Sequence, residues 1–146
     1  MTGAISSFGN PYGNYQWQNK QNKLNQEQQK EQQDAAIKQS YDDVYQHELA
    51  HKKAAGSYGG SIVIDTDAKG FATGGHVDIA MPSLNEANPE ETIEHAQIVI
   101  DAAMAPDDPS DQDYKVAAEA KATMQEAEKC QDDKERQPGS ILNYMA

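Results

Sequence analysis

Three residues of this chain, His47, Glu48 and His51, stand in the order HExxH. Neutral imidazole nitrogen is a standard zinc donor, at about 2.0–2.1 Å from the ion. On a helix, positions i and i+4 lie about 40° apart in projection, so both rings would leave one face, a turn apart. Glu48, one residue past the first ring, would reach water on a shared ion without being a ligand, the general-base position of a zinc peptidase. With 4 His and 11 Glu in 146 residues, random placement gives about 0.01 such matches, so the pattern carries weight. The rival reading is a solvated helix face that happens to carry two histidines.

Two imidazoles do not complete a catalytic site, which needs three protein donors and an open position. The extended pattern HExxHxxGxxH is absent, because Ala54 and Ser57 occupy its last two places. His95 falls on a later helix beside Glu91 and Glu94, off the expected apolar stripe, and reads as solvated. His76 is the better third ligand. It follows Gly74-Gly75 in a strand and comes after enough chain for a hairpin to fold back over the helix. Asp78, on the same strand face, would orient an imidazole or touch substrate, or would simply be solvated.

The elements that must position these residues follow from periodicity. Ile37, Tyr41, Val44, Tyr45, Leu49, Ala50, Ala54 and Ala55 recur at helical spacing from about Asp34, and Gly56 is a natural stop. Ser61–Asp65 reads as a strand, 66–70 as a turn ending in glycine, and Phe71–Ile79 as the return strand. If Val77 and Ile79 face the core, His76 and Asp78 point together away from it. Pro89 opens a helix behind Asn88, with Ile93, Ala96, Ile100, Ala103 and Met104 as its expected buried stripe. Ser110 and Asp113 form a capping-box pattern for a last helix running to about Cys130, with Val116, Ala117, Ala120 and Met124 inward.

The flanks differ from this core. Residues 1–33 are rich in Gln and Asn, broken by few apolar residues, and read as a disordered tail with some helical tendency near Ala35. That tail could cover the cleft as a pro-segment. Residues 132–146 read as a second loose tail around the domain, 34–131. Mean hydropathy is −0.88 and net charge −12, which argues against nucleic acid or an anionic membrane as partner. The N-terminus lacks the pattern of a secretory signal and no apolar run spans a membrane, so a cytoplasmic chain is expected, with signal-independent export left open. Cys130 is the single cysteine and reads as a plain residue.

The stretches VYQHELAHKKAAGSYGGS, FATGGHVDI, NPEETIEHAQIVIDAAMAP and PSDQDYKVAAEA resemble, in order and spacing, the SprA-related family of bacterial zinc metallopeptidases. The resemblance runs from about Tyr41 to Ala127. It implies His47 and His51 as zinc ligands and Glu48 as catalytic base. The family commonly carries Glu where this chain has His76, and either residue can bind zinc. The expected fold is α+β, a small zincin-like domain in which the HExxH helix and a β-hairpin pack on two C-terminal helices. The expected function is peptide-bond hydrolysis with Zn²⁺, acting on a peptide or protein. The alternative is a non-catalytic metal-binding or interaction protein that uses its Gln-rich N-terminal segment.

Overall fold

The computed structural model describes residues 11–137 of the chain. The first ten residues of the expected N-terminal tail and the C-terminal tail from Pro138 onward lie outside these residues. Among the described residues there are three helices and one antiparallel hairpin, an α+β arrangement: α1 (Pro11–Ala55), β1 (Gly59–Thr66), β2 (Ala72–Ile79), α2 (Pro89–Ala103) and α3 (Asp111–Glu135). The chain divides into two units between Gln39 and Ser40.

In the first unit, residues 11–39 are helical, which corrects the expectation of disorder up to residue 33. The composition explains the helix and why periodicity missed it. Gln, Glu and Lys lose little rotamer freedom in a helix, and each residue fixed adds a backbone hydrogen bond. No apolar stripe is needed, and none exists: Tyr12, Tyr15, Trp17 and Leu24 are all exposed.

In the second unit, α1 continues from Ser40 and ends where the sequence says it should. Lys52 and Lys53 complement the helix dipole in its last turn, and Gly56 takes a left-handed φ of 56° that a side chain would resist. A short 3₁₀ turn, Gly56–Tyr58, leads into β1. β1 and β2 pair with Ile62 opposite Val77, Val63 opposite His76 and Ile64 opposite Gly75. Asp67 closes the turn between them by accepting from the backbone N–H groups of Lys69 and Phe71. The alternation on β2 follows expectation: Val77 and Ile79 are half-buried, while His76 and Asp78 are exposed.

α2 and α3 pack against each other through small residues. Ala96, Val99, Ala102 and Ala103 of α2 and Ala120 and Ala127 of α3 are sealed from solvent. The buried face of α2 is Thr92, Ala96, Val99 and Ala103, so that Ala96 and Ala103 of the expected stripe are buried while Ile93 and Ile100 are half-buried and Met104 is exposed. Small side chains let the helix axes approach closely, so the bulkier isoleucines sit at the margins of the contact. Thr92 is accommodated because its hydroxyl donates to the Ser83 carbonyl and accepts from Asn85 N–H, pinning the preceding loop to the helix. On α3, Val116, Ala117 and Met124 are half-buried rather than sealed, and the helix runs past Cys130 to Glu135. His95 is not simply solvated. Its ring stacks on Tyr58 at 3.8 Å, and its Nε2–H donates to the Ala80 carbonyl at 2.7 Å.

Candidate metal centre

The face of α1 that the second unit buries is Val44, Glu48, His51 and Ala55, at the spacing i, i+4, i+7, i+11. Its two middle positions are polar, and both are only 4% exposed. Tyr41 and Tyr45, expected on the inner stripe, instead stack on each other and remain exposed. Burying an ionisable side chain is costly unless something compensates it. A helix that directs a glutamate and a histidine inward, with apolar residues available nearby, does so where those groups have work to do.

His51 has its compensation on one nitrogen. Nδ1 lies 2.8 Å from the carbonyl oxygen of Ala102 in the last turn of α2. A carbonyl only accepts, so Nδ1 carries the proton and the Nε2 lone pair is free. The acceptor sits at a helix C-terminus, where the dipole is negative, and it also accepts from Ala105 N–H at 3.3 Å. A ring fixed in this tautomer is ready to bind a cation through Nε2.

Nε2 of His51 points at α3. It lies 3.4 Å from Oδ1 of Asp113, and Nε2 of His47 lies 3.8 Å from Oδ2 of the same carboxylate. The two imidazoles are 5.0 Å apart between centroids and nearly perpendicular. The His–Asp distances are too long for good hydrogen bonds. The 3.4 Å distance matches the edge of a tetrahedron whose ligands each sit about 2.0–2.1 Å from a shared centre, about 3.3–3.4 Å, and the 3.8 Å distance to the other carboxylate oxygen is longer than that edge. One donor atom from each of His47, His51 and Asp113 lies within 4.8 Å of the others, so these residues could hold a metal ion.

Asp113 reaches this position through its helix cap. Ser110 N–H and the Ser110 hydroxyl both donate to its Oδ2 at 2.7 Å, and its own N–H donates to Ser110 Oγ at 3.2 Å. The cap fixes the carboxylate at the positive end of α3, where negative charge is favoured. The capping pattern was visible in the sequence. The donor role was not, because nothing local shows which helix the first turn of α3 faces.

The expected third ligand, His76, lines the same cavity but is not in the group formed by His47, His51 and Asp113. Its Nε2 is 3.9 Å from Asp78 Oδ1, and both side chains are exposed. Asp78 also lines the cavity. The glycines before His76 divide their work. A Cβ on Gly75 would meet Val63 O at 2.8 Å, Glu48 Cγ at 2.9 Å and Val44 Cγ1 at 2.9 Å, whereas one on Gly74 would meet nothing within 4 Å. Gly75 is therefore the place where β2 lies flush on the helix turn that carries Glu48.

Glu48 makes no hydrogen bond among the described residues, and no side-chain oxygen or nitrogen there is both sealed and unpaired. Its carboxyl therefore opens on the cavity, whose volume is about 850 Å³. Burial pushes this carboxyl above its ordinary value, against the pull of His51 and His47, with Asp113 adding to the rise and His76 opposing it. A carboxyl that holds a proton more readily than usual, beside a cluster of metal donors, is equipped to exchange a proton with water.

The family model of the SprA-related family matches residues 14–142. No curated protein and no solved structure matches the chain.

Proposed function

This chain belongs to the SprA-related family, and from the site it carries we propose a zinc-dependent peptidase of zincin-like build. The observation that carries the reading is the buried face of α1. It presents Glu48, without a hydrogen-bond partner, to the cavity that His47, His51 and Asp113 share. Two imidazoles and one carboxylate form a mixed nitrogen and oxygen set, which suits zinc better than calcium or magnesium, ions that favour oxygen alone. Bound there, Zn²⁺ would act as a Lewis acid toward the scissile carbonyl and acidify water.

The chain's own residues do the rest. Glu48 accepts the proton of the attacking water and passes it to the departing amine. Its burial, which raises its affinity for that proton, suits the second half of the task. His51 is held in register by Ala102, and Asp113 by Ser110, so neither donor needs to be ordered when the metal arrives. β2 pairs only with β1 among the described residues, and its other edge offers backbone groups to which an extended peptide could add as a strand. His76 and Asp78 stand on that strand beside the cavity.

The direct test is metal content with activity. Purified protein should hold about one zinc per chain, lose it in His47→Ala, and cleave an unstructured protein only when loaded. A second reading, metal binding or partner recognition without turnover, is favoured by the exposed Tyr12, Tyr15 and Trp17 on residues 11–39. Zinc held at full occupancy with no hydrolysis of any peptide would support that reading.

A further inference from the structure

The cavity at the donor cluster has a charge pattern that the hydrolytic chemistry does not require. Asp43 of α1, Asp78 of β2 and Glu119 of α3 all border it, each from a different element. No lysine or arginine borders it, although the chain carries 12 of them. No cationic Lys or Arg partner holds these three carboxylates among the described residues. Between them the wall is apolar, with Val77, Met81 and Val116 exposed to the same space. A separate observation says that this space receives a ligand. Glu48, only 4% exposed as a residue, borders it with a carboxyl that has no hydrogen-bond partner.

From this arrangement we infer that the cleft takes polypeptide segments bearing lysine or arginine beside the bond brought to Glu48. The inference rests on the peptidase reading and adds the class of substrate. A divalent cation at the donor cluster is matched in charge by Asp113 and Glu48. The three outer carboxylates are then the uncompensated field that an incoming chain meets. Apolar walls with carboxylates at the rim fit lysine and arginine, whose methylene stems lie along apolar surface while the charged head stays at the water boundary. An acidic rim also steers cationic chains inward and repels acidic ones, which limits cleavage among the many acidic segments a chain of this charge would meet in its own copies. Each exposed pair contributes little, so the expected selectivity is roughly tenfold and sensitive to salt.

The experiment compares fluorogenic peptides of one length that differ only in carrying Lys, Gln or Glu near the cleavable bond. It adds a binding arm, fluorescence anisotropy of the same peptides on zinc-loaded Glu48→Gln protein. The Lys peptide should be cleaved and bound roughly tenfold better than the Glu peptide, with the gap narrowing severalfold between low and high salt. In the Asp43→Asn/Glu119→Gln double variant, which leaves Asp78 alone at the rim, the gap between the Lys and Glu peptides should narrow severalfold while zinc content stays as it was. Equal or inverted preference in the binding arm overturns the inference, and so does a preference that is undiminished in the double variant. Cleavage without charge preference leaves the peptidase standing and removes this inference. Selective binding of the Lys peptide without any cleavage does the reverse.

Discussion

Oδ1 of Asp113 lies 3.4 Å from Nε2 of His51, while the other oxygen of the same carboxylate accepts two hydrogen bonds from Ser110. One side chain thus completes the cap of α3 and stands close enough to the pair on α1 to hold an ion with it. These tasks separate experimentally. Ser110→Ala should cost about 1 kcal/mol through the lost cap and weaken metal affinity by about tenfold without abolishing binding. Asp113→Ala should lose the carboxylate half of the capping box and the metal together. His76→Ala should keep the metal, since His76 lies outside the donor group. Metal analysis after dialysis, read beside thermal melts, checks all three. Metal lost from His76→Ala and retained by Asp113→Ala would return the third-donor role to His76.

Gly74 and Gly75 are neighbours with opposite tolerance. Gly75→Ala places a methyl group against the backbone oxygen of Val63 and the side chains of Glu48 and Val44. β2 must then lift from the helix, at a cost of about 1–3 kcal/mol, and the Glu48 carboxyl must shift with it. Gly74→Ala meets nothing and should change stability by less than about 0.5 kcal/mol. Denaturant melts of the two variants decide this. Equal stability of the pair would mean that β2 does not lie flush on α1.

The pH dependence of the metal-free protein reports on Glu48. Burial raises its folded-state value above the unfolded value of 4.5, so between the two the folded chain binds more protons than the unfolded one. Stability contributed by this group is then present below 4.5 and lost as pH rises through the raised folded value. Glu48→Gln removes that loss. The metal-free variant should melt higher than the wild type at neutral pH, and the two curves should converge as pH falls below 4.5. A variant that is less stable at neutral pH would show that the carboxylate is held by partners and not penalised by burial.

Added metal should stabilise the fold by mass action. At a free concentration one hundred times the dissociation constant the gain is about 2.7 kcal/mol, and a chelator should reverse it. His51→Ala should abolish the gain, because it removes both the Nε2 donor and the link to Ala102. A metal-dependent shift in melting temperature that persists in this variant would place the ion elsewhere.

Several features of this fold were readable from local chemistry alone. The helix carrying His47, Glu48 and His51, its stop at Gly56, the hairpin and the Ser110–Asp113 cap each depend on residues close together in sequence. What was not readable depends on how helices cross. The α2 contact keeps the expected Ala96 and Ala103 but takes Thr92 and Val99 with them in place of Ile93 and Ile100, a choice of face that the packing of α2 on α3 decides. Tyr41 and Tyr45 looked like core and are not, because the inner face of α1 is given to Glu48 and His51. The helix of residues 11–39 was masked by its lack of any apolar period. Asp113 declared itself as a cap, and only the approach of α3 to α1 brings it beside the two imidazoles.

The central claim is that Glu48 moves the proton in a reaction staged by His47, His51 and Asp113. The measurement that reaches it most directly is the cleavage rate of Glu48→Gln against wild type at matched zinc content. The account predicts equal zinc in both proteins and a fall in rate of at least about a hundredfold, the scale of a lost general base. Hydrolysis at an undiminished rate by the zinc-loaded variant would contradict it.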